Sequence, residues 1–311
     1  MATAATMRLD ITISKNPMDY SVKSGNPKKL RVACIIVGIF DHRKPSEAAA
    51  AIDTASKSGI GKVLRRGDMD GKLGATLMLH ELAGSFADRV LLVGLGKEAD
   101  FDDAAYRKAT AAAAGALRKT GSIDAVSTLT DIQVKGRDIG WNVRQAALIT
   151  ETELYRFDAM RGTKAREALP KLKLERLTFD VPHRSDLPAG ERALAEALAI
   201  SHGSAFAKNL ANMPGNICTP TYLAEQALAL AKEHSSIKVK ILDKPVLEKL
   251  GMGSFLSVAR GSQQPPKLIV LEYMKGKKGE KPVALVGKGL TFDAGGISIK
   301  PADKMDEMKF D

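Results

Sequence analysis

Short apolar runs alternate with helix-forming stretches through the first half of the chain, and that alternation limits the folds open to it. The runs are "RVACIIVGIF" (31–40), "ATLMLHEL" (75–82) and "RVLLVGLG" (89–96). Each has strand length and is bounded by polar or glycine-containing sequence. Between and after them, "SEAAAAIDTASKSG" (46–59) has Ser46 as a helix cap and Gly59 as a stop, and "DDAAYRKATAAAAGALRKTG" (102–121) opens on Asp and ends with Lys119 before Gly121. A further strand, "IDAVSTLT" (123–130), follows directly. Strand and helix in turn predict an α/β domain with a mostly parallel sheet over residues 1–165.

The composition then becomes basic and proline-containing, with "ALPKLKLERLTFDVPHRSDLPAG" (168–190), so a linker is expected over 166–190. A second α/β part over 191–311 follows. It begins with helices over 191–212 and 221–234, separated by "MPGNICTP" (213–220), and continues with strands over 238–243 and 267–274. "PVALVGKG" (282–289) reads as a buried strand ending in a glycine-rich turn.

At 311 residues, 44% apolar and 27% charged, the chain has the composition of a globular protein with room for two cores. Its longest apolar run, Val32 to Phe40, is far short of the roughly 20 residues of a membrane span. Asp10, Lys15, Asp19 and Lys23 interrupt the first thirty residues, which argues against a secretory signal and for a cytoplasmic protein. Cys34 and Cys218 form no CxxC and have no nearby histidine, as expected of reduced structural thiols.

The net charge of +11 raises the question of nucleic acid. The basic runs 27–31, 62–66, 161–176 and 275–281 are scattered and carry no interleaved aromatic residue, so a solvated surface is favoured and DNA binding is kept as the alternative role. "GLGKEA" (94–99) matches a dinucleotide fingerprint between a strand and a helix, but no acidic residue ends the next strand to hold a ribose, and a tight turn explains it better. "HELAG" (80–84) starts like a zinc-protease helix and lacks its second histidine. The histidines at 42, 80, 183, 202 and 234 show no ligand spacing.

The closing segment "VGKGLTFDAGGISIKPADKMDEMKFD" (286–311) carries more charge than a strand and turn need. Gly287 and Gly289 allow a sharp turn around Lys288 where open α/β sheets bind ligands, and Gly295–Gly296 allow close approach beside Asp293. Lys300 follows a short strand, "ISI", that Pro301 ends. The spacing gathers Lys288, Asp293 and Lys300 around one crevice. Carboxylates without thiolate or imidazole suit Mg, Mn or, with an amine, Zn. The competing reading is a Lys288–Asp293 salt bridge with Lys300 as a surface charge.

This segment closely resembles the signature of the leucyl aminopeptidase (cytosol aminopeptidase) family of two-metal exopeptidases. "NLANMPGNICTP" (209–220) and "GMGSFLSVARGSQQPPKLIVLEY" (251–273) resemble further catalytic-domain segments of that family, in the same order. The resemblance implies that Lys288, Asp293 and Asp311 are metal ligands with Asp293 bridging, that Lys300 is the catalytic lysine facing the developing oxyanion, and that Met308 lines the pocket for the first side chain. Ala294 stands where many members carry Ser or Thr. Two divalent ions, Mn²⁺ or Zn²⁺, a cytoplasmic homohexamer and peptide substrates with a free, Leu-like N-terminal residue are implied as well. Lysine binds metal only as the neutral amine, so Lys288 would be neutral and Lys300 charged.

The family's second motif, resembling Asn-Thr-Asp-Ala-Glu-Gly-Arg, does not occur in this sequence. Asp293 and Asp311 supply two negative charges against four on a pair of divalent ions. The catalytic domain is therefore expected to be incomplete, and residues 1–311 alone are expected to bind metal poorly and to leave peptides unhydrolysed.

Overall fold

Every residue of the strand Cys34–Phe40 is buried, as a strand covered on both faces requires. In this computed structural model, which describes residues 18–310, the chain divides into two compact units, Met1–Ala205 and Phe206–Asp311. The first unit runs β1 (Asp19–Lys23), β2 (Cys34–Phe40), β3 (Lys44–Pro45), α1 (Glu47–Ala55), α2 (Gly59–Arg66), β4 (Thr76–His80), β5 (Arg89–Gly96), α3 (Asp103–Leu117), β6 (Asp124–Ser127), α4 (Ile139–Leu154), α5 (Thr163–Glu167) and β7 (Arg176–Asp180). It closes with α6 (Leu187–Asn212), which continues past the division.

The sheet order is β1-β7-β6-β2-β5-β4, with β3 paired to the end of β2. The first five of these strands are parallel, and β4 joins β5 antiparallel at the edge. Alternate side chains of β2 enter opposite cores. Cys34 and Ile36 pack with residues of α3, α4 and α6, whereas Ile35, Val37 and Ile39 pack with Ala48, Ala49, Ile52, Ile60 and Leu64 of α1 and α2. Each buried Ile or Val stabilises the sheet by about 1.5–3 kcal/mol relative to exposure. Helix starts are set by side-chain caps: Ser46 on Ala49 N, Asp102 on Ala105 N and Asp138 on Trp141 N.

The largely parallel α/β sheet agrees with the alternation in the sequence. The stretch expected as a linker, 166–190, instead contains β7, seated between β1 and β6 in register with both. Its apolar positions Leu177 and Phe179 fill the core, and the basic and proline residues around them disguise the strand.

The second unit holds α7 (Pro220–Glu233), β8 (Lys238–Asp243), α8 (Lys244–Lys249), α9 (Gly253–Val258) and β9 (Lys267–Glu272). β8 and β9 form an antiparallel pair. Two expected strands are not formed: 282–289 and 297–299 pair with no strand among the described residues. Val283, Leu285 and Val286 are 87%, 94% and 97% exposed, and Ile297 and Ile299 also face solvent. An apolar run becomes a strand only where a ladder and a covering layer meet it, and neither meets these two. No helix among the described residues is long and apolar enough to cross a membrane.

Candidate functional site

Asp293 sits in a turn that two glycines make possible. Gly295 has φ +92° and Gly296 φ +75°, and a Cβ on Gly295 would lie 2.3 Å from the Ser298 carbonyl oxygen. Within the turn, the Gly295 N–H donates to Asp293 Oδ1 at 2.9 Å and the Lys300 N–H to the Ala294 carbonyl at 3.0 Å. The Asp293 N–H donates to the Met308 carbonyl at 3.2 Å, which ties the turn to the short 3-10 helix Met305–Phe310.

These backbone bonds bring three of the expected site residues together. Lys300 Nζ donates to Asp293 Oδ2 at 2.9 Å and lies 3.2 Å from Met308 Sδ. The side chains of Lys300 and Asp293 are 36% and 28% exposed, so the pair is half-buried. The ion pair at Asp293 Oδ2 engages Lys300, which the plain salt-bridge reading left as a surface charge. Lys288 stands on the exposed stretch before the turn. Asp311 lies outside the described residues.

Supporting contacts come from the 209–220 segment, which resembles a catalytic-domain segment of the family and for which no contact to Asp293 or Lys300 is readable from the sequence. A Cβ on Gly215 would lie 2.9 Å from Phe292 Cβ, so glycine in "MPGN" allows close approach to the residue before Asp293. Lys309 Nζ donates to the Asn212 carbonyl at 3.3 Å. The signal for these contacts was present as a glycine between Pro214 and Asn216, and their partners were not readable from one sequence.

The donor chemistry at Asp293 suits a cation. Its Oδ1 is fixed by a backbone N–H, and its Oδ2 already faces a positive group, the Lys300 ammonium. Among the described residues no three His, Cys, Asp or Glu side chains form a metal-holding group. The expected set differs from such a group, since it uses a lysine amine and Asp311.

The carboxyl ends of the parallel strands in the first unit hold an acidic pair, Asp131 and Asp180. Asp180, 4% exposed, accepts the Gly25 N–H at 2.9 Å. Burial, with a smaller contribution from the Asp131 charge, pushes its carboxyl up to about 6. Asp131 is raised by burial and by Glu47 and Asp186, against the opposing effect of His183. Burial also pushes the Cys34 thiol up to about 12 and raises that of Cys218, as expected of free structural cysteines.

The other motifs resolve structurally. A Cβ on Gly94 would lie 1.9 Å from the Lys72 carbonyl oxygen, Gly94 N–H donates to Ala75 O, and Gly96 N–H donates to Gly71 O. The strand end is thus occupied by the 71–75 backbone, which accounts for both glycines. His80 ends a strand, not a metalloprotease helix.

The profile described as "Cytosol aminopeptidase family, N-terminal domain" matches residues 36–164, and that of the same family's catalytic domain matches residues 205–311. Probable cytosol aminopeptidases of Thioalkalivibrio sulfidiphilus and Methylobacillus flagellatus are 54% and 51% identical over 294 residues, 94% of this chain. The chain spans 59% and 58% of the length of these relatives. A mutant tomato leucine aminopeptidase has a similar structure, with a TM-score of 0.75 and 25% identity over 94% of this chain and 57% of that one. The bottromycin maturation enzyme BotP in complex with Mn gives a TM-score of 0.69 and 25% identity over 90% of this chain and 53% of that one.

Proposed function

This chain belongs to the cytosol aminopeptidase family, and from that premise we propose that Asp293 and Lys300 are working parts of a metal-dependent site that releases N-terminal, Leu-like residues from peptides. The observation that carries the proposal is the Asp293–Lys300 pair, held in a glycine-made turn inside the stretch that matches the catalytic domain.

Asp293, with Lys288 and Asp311, would hold divalent cations; the Mn-bound neighbour supports a divalent ion of this kind. Bound there, two such ions would lower the pKa of a water and polarise the scissile carbonyl. The chain's own residues do the rest. The Gly295 N–H fixes Asp293 Oδ1 and so orients the carboxylate. Lys300, as an ammonium, donates to the oxyanion that develops on the scissile carbonyl, a contribution of about 10²–10³ in rate for one donor. Met308, beside Lys300 Nζ, lines the apolar wall against the first side chain. A homohexamer is the assembly this reading expects, and sedimentation equilibrium reads it.

Residues 1–311 provide few of the negative charges that two divalent ions need, so this chain by itself should turn over leucine amide poorly with added manganese. The test compares it with a chain extended to the length of the relatives. Comparable rates would refute the assignment of further ligands to the additional length. Absence of turnover in both would refute the aminopeptidase reading.

A further inference from the structure

We propose that the groove between β4 and α3 docks an acidic, extended peptide segment, which adds to β4 as one more strand of the sheet. The groove is open to solvent and has a volume of about 720 Å³. Apolar residues in its lining are the cross-strand pair Met78 and Leu91 together with Ala112 and Ala116 of α3. Gly115 on the same wall has nothing within 4 Å of an added Cβ, so the space beside the helix is open.

β4 ends the sheet, and no strand pairs with its outer edge among the described residues. The Gly94 N–H donates to Ala75 O at 2.8 Å, which sets the alternation of the antiparallel ladder. By that alternation Thr76, Met78 and His80 direct their N–H and C=O groups away from β5, and the side chains of the same three residues line the groove. An incoming strand would meet backbone donors and side-chain contacts from one row of residues, which is how peptides add to a sheet edge beside a helix. The five residues of β4 offer a track of about 17 Å.

Charge selects the partner. One end of the groove carries Arg89, Arg118, Lys119 and His80, and no Asp or Glu lines it. Arg89 and Arg118 each use one nitrogen on a neutral backbone carbonyl, of Ala33 and Glu153, so their charges are not neutralised by those bonds. Glu81 and Asp88 lie on the β4–β5 connection and are exposed outside the groove. A nucleic acid would also seek cations, but single strands bind by stacking on aromatic rings, and none lines this groove. The open strand edge, with Met78 and the α3 alanines beside it, suits a peptide.

The experiment uses the 1–311 chain and three fluorescein-labelled probes: an N-acetylated hexapeptide alternating Glu and Val, its Lys-for-Glu counterpart, and a short single-stranded DNA. Acetylation removes the free amine, so binding here is independent of any aminopeptidase site. Anisotropy should rise with the acidic peptide alone, and reversing charge at the exposed helix end (Arg118→Glu with Lys119→Glu) should weaken it by about tenfold or more. Amide exchange at Thr76, Met78 and His80 should slow in the bound state, which a merely electrostatic surface would not cause. Equal binding of the Lys peptide, binding of DNA in place of the acidic peptide, no binding by any probe, or binding without slowed exchange in β4 would each overturn the proposal.

Discussion

Replacing Asp180 with Asn should stabilise the first unit at neutral pH and lose that advantage in acid. Asp180 is 4% exposed, and burial raises its carboxyl from 3.8 to about 6. A folded-state value above the unfolded one means that the native protein binds the proton more tightly. Stability therefore falls as pH rises from about 4 through 6, and the cost remains in full above that window. A difference of about two pKa units corresponds to about 3 kcal/mol as an upper limit. Asn retains an oxygen for the Gly25 N–H, and removing the charge also relieves the repulsion with Asp131. Thermal unfolding of both proteins from pH 4 to 8 is the assay. The Tm difference should be small at pH 4 and grow with pH to several degrees, since 1 kcal/mol moves Tm by about 2–4 °C in a domain of this size. A difference independent of pH, or one that shrinks as pH rises, would refute the linkage.

Other substitutions test the packing and the turn. Gly94→Ala places a methyl against the Lys72 carbonyl and should lower stability by about 1–3 kcal/mol in a urea melt. Unchanged stability would contradict the packing account of Gly94. Gly295→Ala forces a side chain into φ +92° and onto the Ser298 carbonyl, at a local cost of about 1–3 kcal/mol. Amide exchange at Lys300, whose N–H donates to Ala294 O, should accelerate while the first unit's Tm holds. Asp102→Ala removes the cap on α3 and should cost about 1 kcal/mol, read as a lower Tm.

What could be read from the sequence followed the strength of the local signal. β2 and β5 are continuous apolar runs, and α1 and α3 carry their own caps, so strand, helix and parallel sheet were legible. α4 shows no clear apolar stripe in the sequence, because its buried face includes polar Asn142, whose Nδ2 donates to the Thr130 and Ile132 carbonyls at 2.9 Å. That partnership is tertiary and leaves no local pattern. β7 was hidden by its basic surroundings, and α2 by its short amphipathic span in a basic run. "PVALV" shows the opposite error: its composition suits a buried strand, yet a strand exists only with neighbours, and these side chains face solvent. At the site, the short spacing of glycines and charges made the proximity of Asp293 and Lys300 legible, while the roles expected of them come from the family resemblance. The contacts of Gly215 with Phe292 and Asn212 with Lys309 cross about eighty residues or more and were not.

The most direct test of the account is the role of Lys300. In a chain of the relatives' full length that carries these residues, Lys300→Ala should lower kcat for leucine amide by about 10²–10³, with KM and Tm close to those of the parent. A kcat within a few-fold of the parent would contradict the assignment of Lys300 to the oxyanion and, with it, the reading of the Asp293 turn as a peptidase site.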